Sequence, residues 1–79
     1  MPHYFFDLRG GEIETDDEDG LPLPDDAAAH QKAVTFARDL LAGAVLEGRL
    51  ALHERIVVRD ASGRLVESLS FGQAVGLPE

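Results

Sequence analysis

Residues 52–71 read LHERIVVRDASGRLVESLSF, and this stretch decides the fold. Leu52 to Arg59 and Arg64 to Phe71 are each rich in β-branched and apolar residues, the composition of strands. Between them stands Asp60-Ala61-Ser62-Gly63. Asp first and Gly fourth is the pattern of a type I turn closing a hairpin with a bulge, because the Asp side chain bonds nearby backbone and Gly accepts positive φ. The expectation is an antiparallel pair.

Working back from the hairpin, residues 25–48 carry the strongest helical pattern. Ala29, Ala33, Val34, Phe36, Ala37, Leu40, Leu41, Ala44 and Val45 fall on one broad arc, with Gln31, Lys32, Thr35, Arg38 and Asp39 opposite. Asp25 or Asp26 suits the N-cap, since a short carboxylate accepts from the free N–H groups of the first turn. Gly48 suits the position just past the C-cap. Phe36, Leu40 and Leu41 are expected to supply most of the buried area, and the alanines a close approach to a sheet. The arc reads as core, not as a cofactor site.

Nearer the start, Tyr4 to Arg9 alternates with period two: Tyr4, Phe6 and Leu8 point one way, His3, Phe5, Asp7 and Arg9 the other. Gly10-Gly11 supplies a tight turn, and Glu12 to Thr15 is expected to return as a weak second strand showing only Ile13 to the core. Asp16 to Gly20 is a loop by charge repulsion. Leu21-Pro22-Leu23-Pro24 is held extended by its prolines, with Leu21 and Leu23 as anchors. In the tail, residues 72–79, Ala74, Val75 and Leu77 can pack back as a helical turn. The result is a single α+β domain over residues 1–79. It has a three- or four-stranded sheet in the order β-β-α-β-β, with one long amphipathic helix packed on one face.

Charge is the other informative feature. Between Glu12 and Asp26 there are eight acidic residues and no basic one, and the rest of the chain balances seven acids against seven bases. The formal charge of −8 is therefore local to one loop. Such a balance argues against nucleic acid, whose binders need a cationic footprint. No stretch approaches the ~20 apolar residues of a membrane span, and the start MPHYFFDLRGG lacks the basic and apolar regions of a secretion signal. With no cysteine, neither disulfides nor thiolate metal sites can staple a small core, and the composition fits a reducing cytoplasm. A domain of this size buries only a modest share of its unfolded surface, so self-association is the remaining support.

Three segments together carry a resemblance: MPHYFFDLRGG, the acidic stretch ending DEDGLPLPD, and IVVRDASGRLVESLSF after the Ala-rich helix. The pattern resembles a bacterial family of short uncharacterised proteins classed as a domain of unknown function. Its members begin M-P-x-Y-F-F-D, carry an L-P-D segment before the helix and close with V-R-D-x-x-G-R-V. Here Met1 to Asp7, Asp17 to Asp25 and Val58 to Val66 fit, with Leu65 in place of the usual Val. The resemblance supports the fold and implies no activity, cofactor or site.

With one helix for a two-faced sheet, one face is left bare. Phe5 and Val57 point to it beside Arg55 and Arg59, a surface too apolar for bulk solvent and too charged for a core. These four residues are the candidate interaction face, for a second copy of the chain or for another protein. The leading expectation is a non-enzymatic interaction or self-association module. An antitoxin-like regulator binding a partner protein is the first alternative, by analogy of architecture. Weak divalent-cation binding at Asp17, Asp19 and Asp26 is the second, since hard cations want several carboxylate oxygens. EF-hand spacing fails there, because aligning Gly20 with the loop glycine leaves Thr15 and Asp26 at the first and last ligand positions, with two prolines in the second half. His3 and His53 would be neighbours only if the first and third strands ran parallel. His30 reads as a half-buried, hydrogen-bonded side chain. The serines stand in a turn or along a strand without a base placed by spacing, so no enzyme and no cofactor is expected.

Overall fold

The structure, a computed structural model, describes residues 1–78; residue 79, the end of the expected tail, lies outside the described residues. The chain forms β1 (His3–Arg9), β2 (Leu21–Pro22), α1 (Asp26–Leu46), β3 (Arg55–Asp60), β4 (Leu65–Ser70) and α2 (Phe71–Ala74). The four strands make one antiparallel sheet in the order β2-β1-β3-β4, with α1 across one face. This is the expected α+β architecture.

The hairpin forms as its sequence dictates. Asp60 Oδ1 accepts from the N–H groups of Ser62 and Arg64, both at 3.0 Å, and Gly63 takes φ +87°. The pairing register shifts between Val58 and Arg59, the irregularity expected where a turn of this kind meets the right-handed twist of the strands. β3 then pairs on its other side with β1, from Tyr4↔Asp60 to Arg9↔Arg55.

The second strand is not where the sequence placed it. Of residues 12–15 only Thr15 pairs, in an isolated bridge to Leu8 with N–H···O distances of 2.8 and 3.1 Å. Ile13, expected in the core, is 76% exposed. The strand flanking β1 is Leu21–Pro22, in the segment expected to be merely extended. Carboxylates at positions 12 and 14 gain nothing from burial, whereas Leu21 and Leu23 pack against the core. Pro22 lacks an N–H to donate, and an edge strand is the place in a sheet that tolerates it.

Both ends of α1 are capped. Asp25 Oδ1 accepts from Ala28 N at 2.9 Å. At the other end Gly48, at φ +83°, donates to Val45 O at 2.9 Å and Arg49 N donates to Ala44 O at 2.8 Å, the paired bonds of a Schellman motif. Ala29, Ala33 and Ala37, all at 0% exposure, continue through Leu41 and Ala44 as a line that presses on the sheet. Leu40 does not belong to this line. It is 44% exposed, and Val45 is 53% exposed, which corrects the expectation that Leu40 anchors the core. For Leu40 the cause is placement: α1 packs mainly over β3 and β4, and the flank of its apolar arc that carries Phe36 and Leu40 overhangs β1 across a gap. Phe36 crosses part of that gap, its ring edge-on to Phe6 with centroids 5.2 Å apart.

The tail does form a helical turn. Ser70 and Gln73 make a capping box at the start of α2, and Arg38 Nε donates to Ala74 O at 2.7 Å, holding α2 against α1. Ala74 is buried, while Val75 and Leu77 remain about half exposed. Among the described residues no helix is long and apolar enough to cross a membrane.

Candidate interaction surfaces

The face of the sheet away from α1 brings together the four residues named for it. Phe5 and Arg59 are register partners, and Val57 and Arg55 follow on β3 beside Asp7 and Arg9. This face is already bonded to itself. Arg59 donates through Nε to Asp7 Oδ2 at 2.7 Å and through Nη2 to Oδ1 at 3.3 Å, while its guanidinium lies 4.8 Å from the Phe5 ring centroid. Arg55 Nε donates to Ser68 Oγ at 2.8 Å. Asp7 is only 3% exposed. Burial pushes its carboxyl up, but the Arg59 guanidinium and the Asp17 N–H outweigh that and hold it below the usual carboxylate range. Period-two patterning put Asp7 on this face; it gave no sign that Asp7 would be buried.

The acidic loop explains that burial, and it is not simply a solvated turn. It runs antiparallel along the outer edge of β1. Thr15 pairs with Leu8 and Leu21 with Tyr4, and between them the Asp17 carboxylate stands in for a strand, its Oδ2 accepting from Phe6 N at 3.1 Å. Asp17 Oδ1 accepts from Asp19 N and Gly20 N, both at 3.1 Å. Its own N–H donates to Asp7 Oδ1 at 2.9 Å and its carbonyl accepts from Arg59 Nη2 at 3.3 Å. Gly20, at φ +70°, lies so close over Phe5 that a Cβ there would be 2.8 Å from the ring. Asp16 pairs with Arg9. A run of like charges signals repulsion, and only the fold shows that Asp16 and Asp17 within it have partners.

As candidate metal ligands, Asp17, Asp19 and Asp26 are separately engaged or separately exposed. Both oxygens of Asp17 accept backbone N–H groups. Asp19 is exposed. Asp26, in the first turn of α1, accepts from the Tyr4 hydroxyl at 2.8 Å and from Arg64 Nη2 at 3.2 Å. The Tyr4 bond and the Arg64 guanidinium hold the Asp26 carboxyl below its usual range, and the same bond to Asp26 raises the Tyr4 hydroxyl. Asp60 is held well below the carboxylate range by the Ser62 hydroxyl and by Arg64. Among the described residues no group of three His, Cys, Asp or Glu is placed to hold a metal ion.

The histidines are scattered. His30 Nδ1 lies 2.8 Å from both oxygens of Glu67, a half-buried hydrogen-bonded placement as expected. His3 and His53 are not neighbours, because β1 and β3 run antiparallel and the two residues precede or begin them at opposite ends. The serines have structural tasks: Ser62 Oγ donates to Asp60, Ser68 Oγ accepts from Arg55, and Ser70 caps α2.

A third surface had no counterpart in the sequence reading. Because α1 sits over β3 and β4, the helix-side face of β1 forms the floor of an open groove of about 830 Å³. Leu8 and the buried side chains of Phe6 and, on neighbouring β3, Ile56 close the floor, Phe36 and Leu40 make one wall, and residues 15–19 the other. Leu8 continues into a second depression of about 650 Å³ lined by Ile13, Leu50 and Glu54. Leu40, Ile13 and Leu50 are 44%, 76% and 69% exposed. Helical periodicity gives no signal for it: at about 100° per residue Leu40 falls between Ala29 and Ala33 on the wheel, inside the arc.

The family described as a domain of unknown function (DUF6894) matches residues 3–72. The chain belongs to this family. The matched span contains both walls and the floor of the groove. Comparison with curated proteins gives no match, and comparison with solved structures gives none.

Proposed function

We propose that this domain is a non-enzymatic protein-interaction module. The observation that carries the reading is the apolar strip along β1. A helix long enough to cover its sheet leaves half-buried Leu8 and exposed Leu40 at an open groove over the buried Phe6 ring, with Ile13 and Leu50 exposed at its end. Contiguous exposed apolar surface is costly in a monomer and is characteristic of surfaces that receive a partner. The open sheet face offers less, since its arginines are already bonded to Asp7, Ser68 and the Phe5 ring. The assignment of all three serines to turn, strand and cap supports the non-enzymatic part of the reading.

A second reading, self-association, is favoured by the other edge of the sheet. β4 is terminal, its outward backbone groups have no backbone partner among the described residues, and Leu65 on it is 61% exposed. An antitoxin-like regulator is the special case in which the bound protein is a toxin.

The test is capture from native extract followed by binary titration of the purified captured protein against wild type and Ile13→Asp. Wild type is expected to bind with Kd below about 10 µM and the variant at least tenfold more weakly. Equal binding by the two would remove the β1 strip from the reading. Light scattering at ~100 µM, a concentration that populates even modest dimers, separates the two forms, because a clean monomer mass excludes self-association.

A further inference from the structure

The groove is apolar on its floor and acidic on its rim, and the rim charges are of two kinds. Asp16 and Asp17 are neutralised or hydrogen-bonded within the chain, to Arg9 and to backbone N–H groups. Glu18, Asp19 and Asp39 also line the groove, and among the described residues their carboxylates have no hydrogen bond or ion pair. Glu18 and Asp19 stand on the loop wall and Asp39 on the helix wall, so uncompensated negative charge faces the floor from both sides. No basic side chain lines this part of the groove; the nearest on the helix wall is Lys32, whose Nζ lies 5.5 Å from the Phe36 ring centroid.

The mode of docking is also constrained. The outer edge of β1 is taken up by Thr15, Asp17 and Leu21, which leaves no free ladder for an incoming strand to extend. What the groove offers is side-chain surface: the half-buried ring of Phe36 and the aliphatic ends of Leu8 and Leu40, over a floor closed by the buried Phe6 ring. An occupant must bring its own backbone hydrogen bonds already satisfied, which a helix does and an extended peptide does not. A second copy of the chain lacks the charge to match, since outside its acidic loop it is neutral and the loop itself would bring acid to acid. A bilayer carrying anionic lipid is repelled in the same way.

We propose that the groove between the acidic loop and α1 receives a cationic amphipathic helix of another protein, its apolar stripe on Leu8, Phe36 and Leu40 and its Lys or Arg residues against Glu18, Asp19 and Asp39. This rests on the interaction-module reading and adds the chemistry of the partner.

The test uses synthetic peptides with the whole chain. One is a Leu/Lys peptide of about 18 residues with leucines at i, i+3, i+4 and i+7 spacing; a second has every Lys replaced by Glu; a third scrambles the first so that its leucines no longer share a face. Binding is followed by fluorescence anisotropy and by amide chemical shifts. The Leu/Lys peptide is expected to bind with Kd of tens of µM, to bind at least tenfold more tightly than the scrambled peptide, and to shift Leu8, Phe36 and Leu40 in preference to Phe5 and Val57. The Glu peptide should not bind. Glu18→Lys with Asp39→Lys, at exposed positions without internal bonds, should weaken the Leu/Lys peptide at least tenfold while leaving the melting temperature near that of wild type.

Equal affinity for the ordered and scrambled cationic peptides would mean diffuse electrostatics only and would overturn the proposal. So would shifts centred on Phe5 and Val57, binding of the Glu peptide, or a wild-type dimer that Leu40→Asp converts to monomer. Failure of every peptide, alongside a natural partner whose binding Ile13→Asp abolishes, would refute the cationic helix and leave the interaction module standing. Failure of both would refute both.

Discussion

The two halves of the sheet are held by different physics. Under α1, the β3–β4 half is closed by apolar burial: Val58 at 0%, Phe71 at 1% and Ile56 at 2% exposure, under a line of alanine methyl groups. The β1 half is held at its edge and open face by charge and hydrogen bonding, through Asp17 on the strand edge and the Asp7–Arg59 pair. Burial of apolar surface is indifferent to pH and nearly so to modest salt. Carboxylate-centred structure is neither. One small domain therefore has a half fixed by shape and a half in which buried Tyr4 and Phe6 are backed by ionised groups at the edge and open face, and the groove lies where the two meet.

The largest effect should come from the apolar half. Phe71→Ala is expected to cost about 3–5 kcal/mol, the usual range for a buried Phe, and to leave the chain largely unfolded by circular dichroism. Leu41→Ala should cost about 2–5 kcal/mol, whereas Leu40→Ala, one residue along, should cost less than about 1 kcal/mol because its side chain already meets water. Similar denaturation midpoints for these two leucine variants would break the comparison, since both would then belong to the core.

Asp17→Ala comes next. It leaves the N–H groups of Phe6, Asp19 and Gly20 without their acceptor, and the expected loss is about 1–3 kcal/mol, with amide exchange quickening at Phe6 before any position of β3. Glu18→Ala and Asp19→Ala, in the same acidic run, should stay within about 0.5 kcal/mol of wild type. Equal losses at all three positions would show that the loop acts through its total charge and not through one carboxylate.

The pH response sharpens the same contrast. Asp7 has its pKa lowered from 3.8 on folding, so its contribution to stability is complete above that value and is lost as pH falls through the folded one. Urea midpoints should therefore fall as the pH is lowered below about 4. Arg59→Met should be less stable at pH 6 and show a shallower fall, the remaining slope belonging to Asp26 and Asp60, whose values are also lowered. An unchanged slope in Arg59→Met would remove the Asp7–Arg59 pair from the account.

The apolar half was the legible half. Alternation in β3, the Asp60–Gly63 turn, the carboxylate cap and Gly48 each depend on residues close in sequence, and each is found in place. The polar half depends on pairs far apart in the chain: Asp7 with Arg59, Phe6 with Asp17, Tyr4 with Asp26. No local pattern marks such pairs. The misplaced second strand has the same origin, since Gly10-Gly11 is a good turn signal, yet pairing with β1 begins only at Thr15 and continues through the Asp17 carboxylate to Leu21. Leu40 was misread because a helical wheel gives the direction of an arc and not which strands lie beneath it.

The alanines of α1 act as a shim. With Ala29, Ala33 and Ala37 fully covered, the distance between helix and sheet is set by methyl groups, the thinnest spacers a side chain can provide. A leucine at any of them would jack the helix away from the sheet and lift Phe36 and Leu40 off the floor they share with Phe6 and Leu8. The depth and mouth of the trench beside β1 are thus gauged by three residues that never line it.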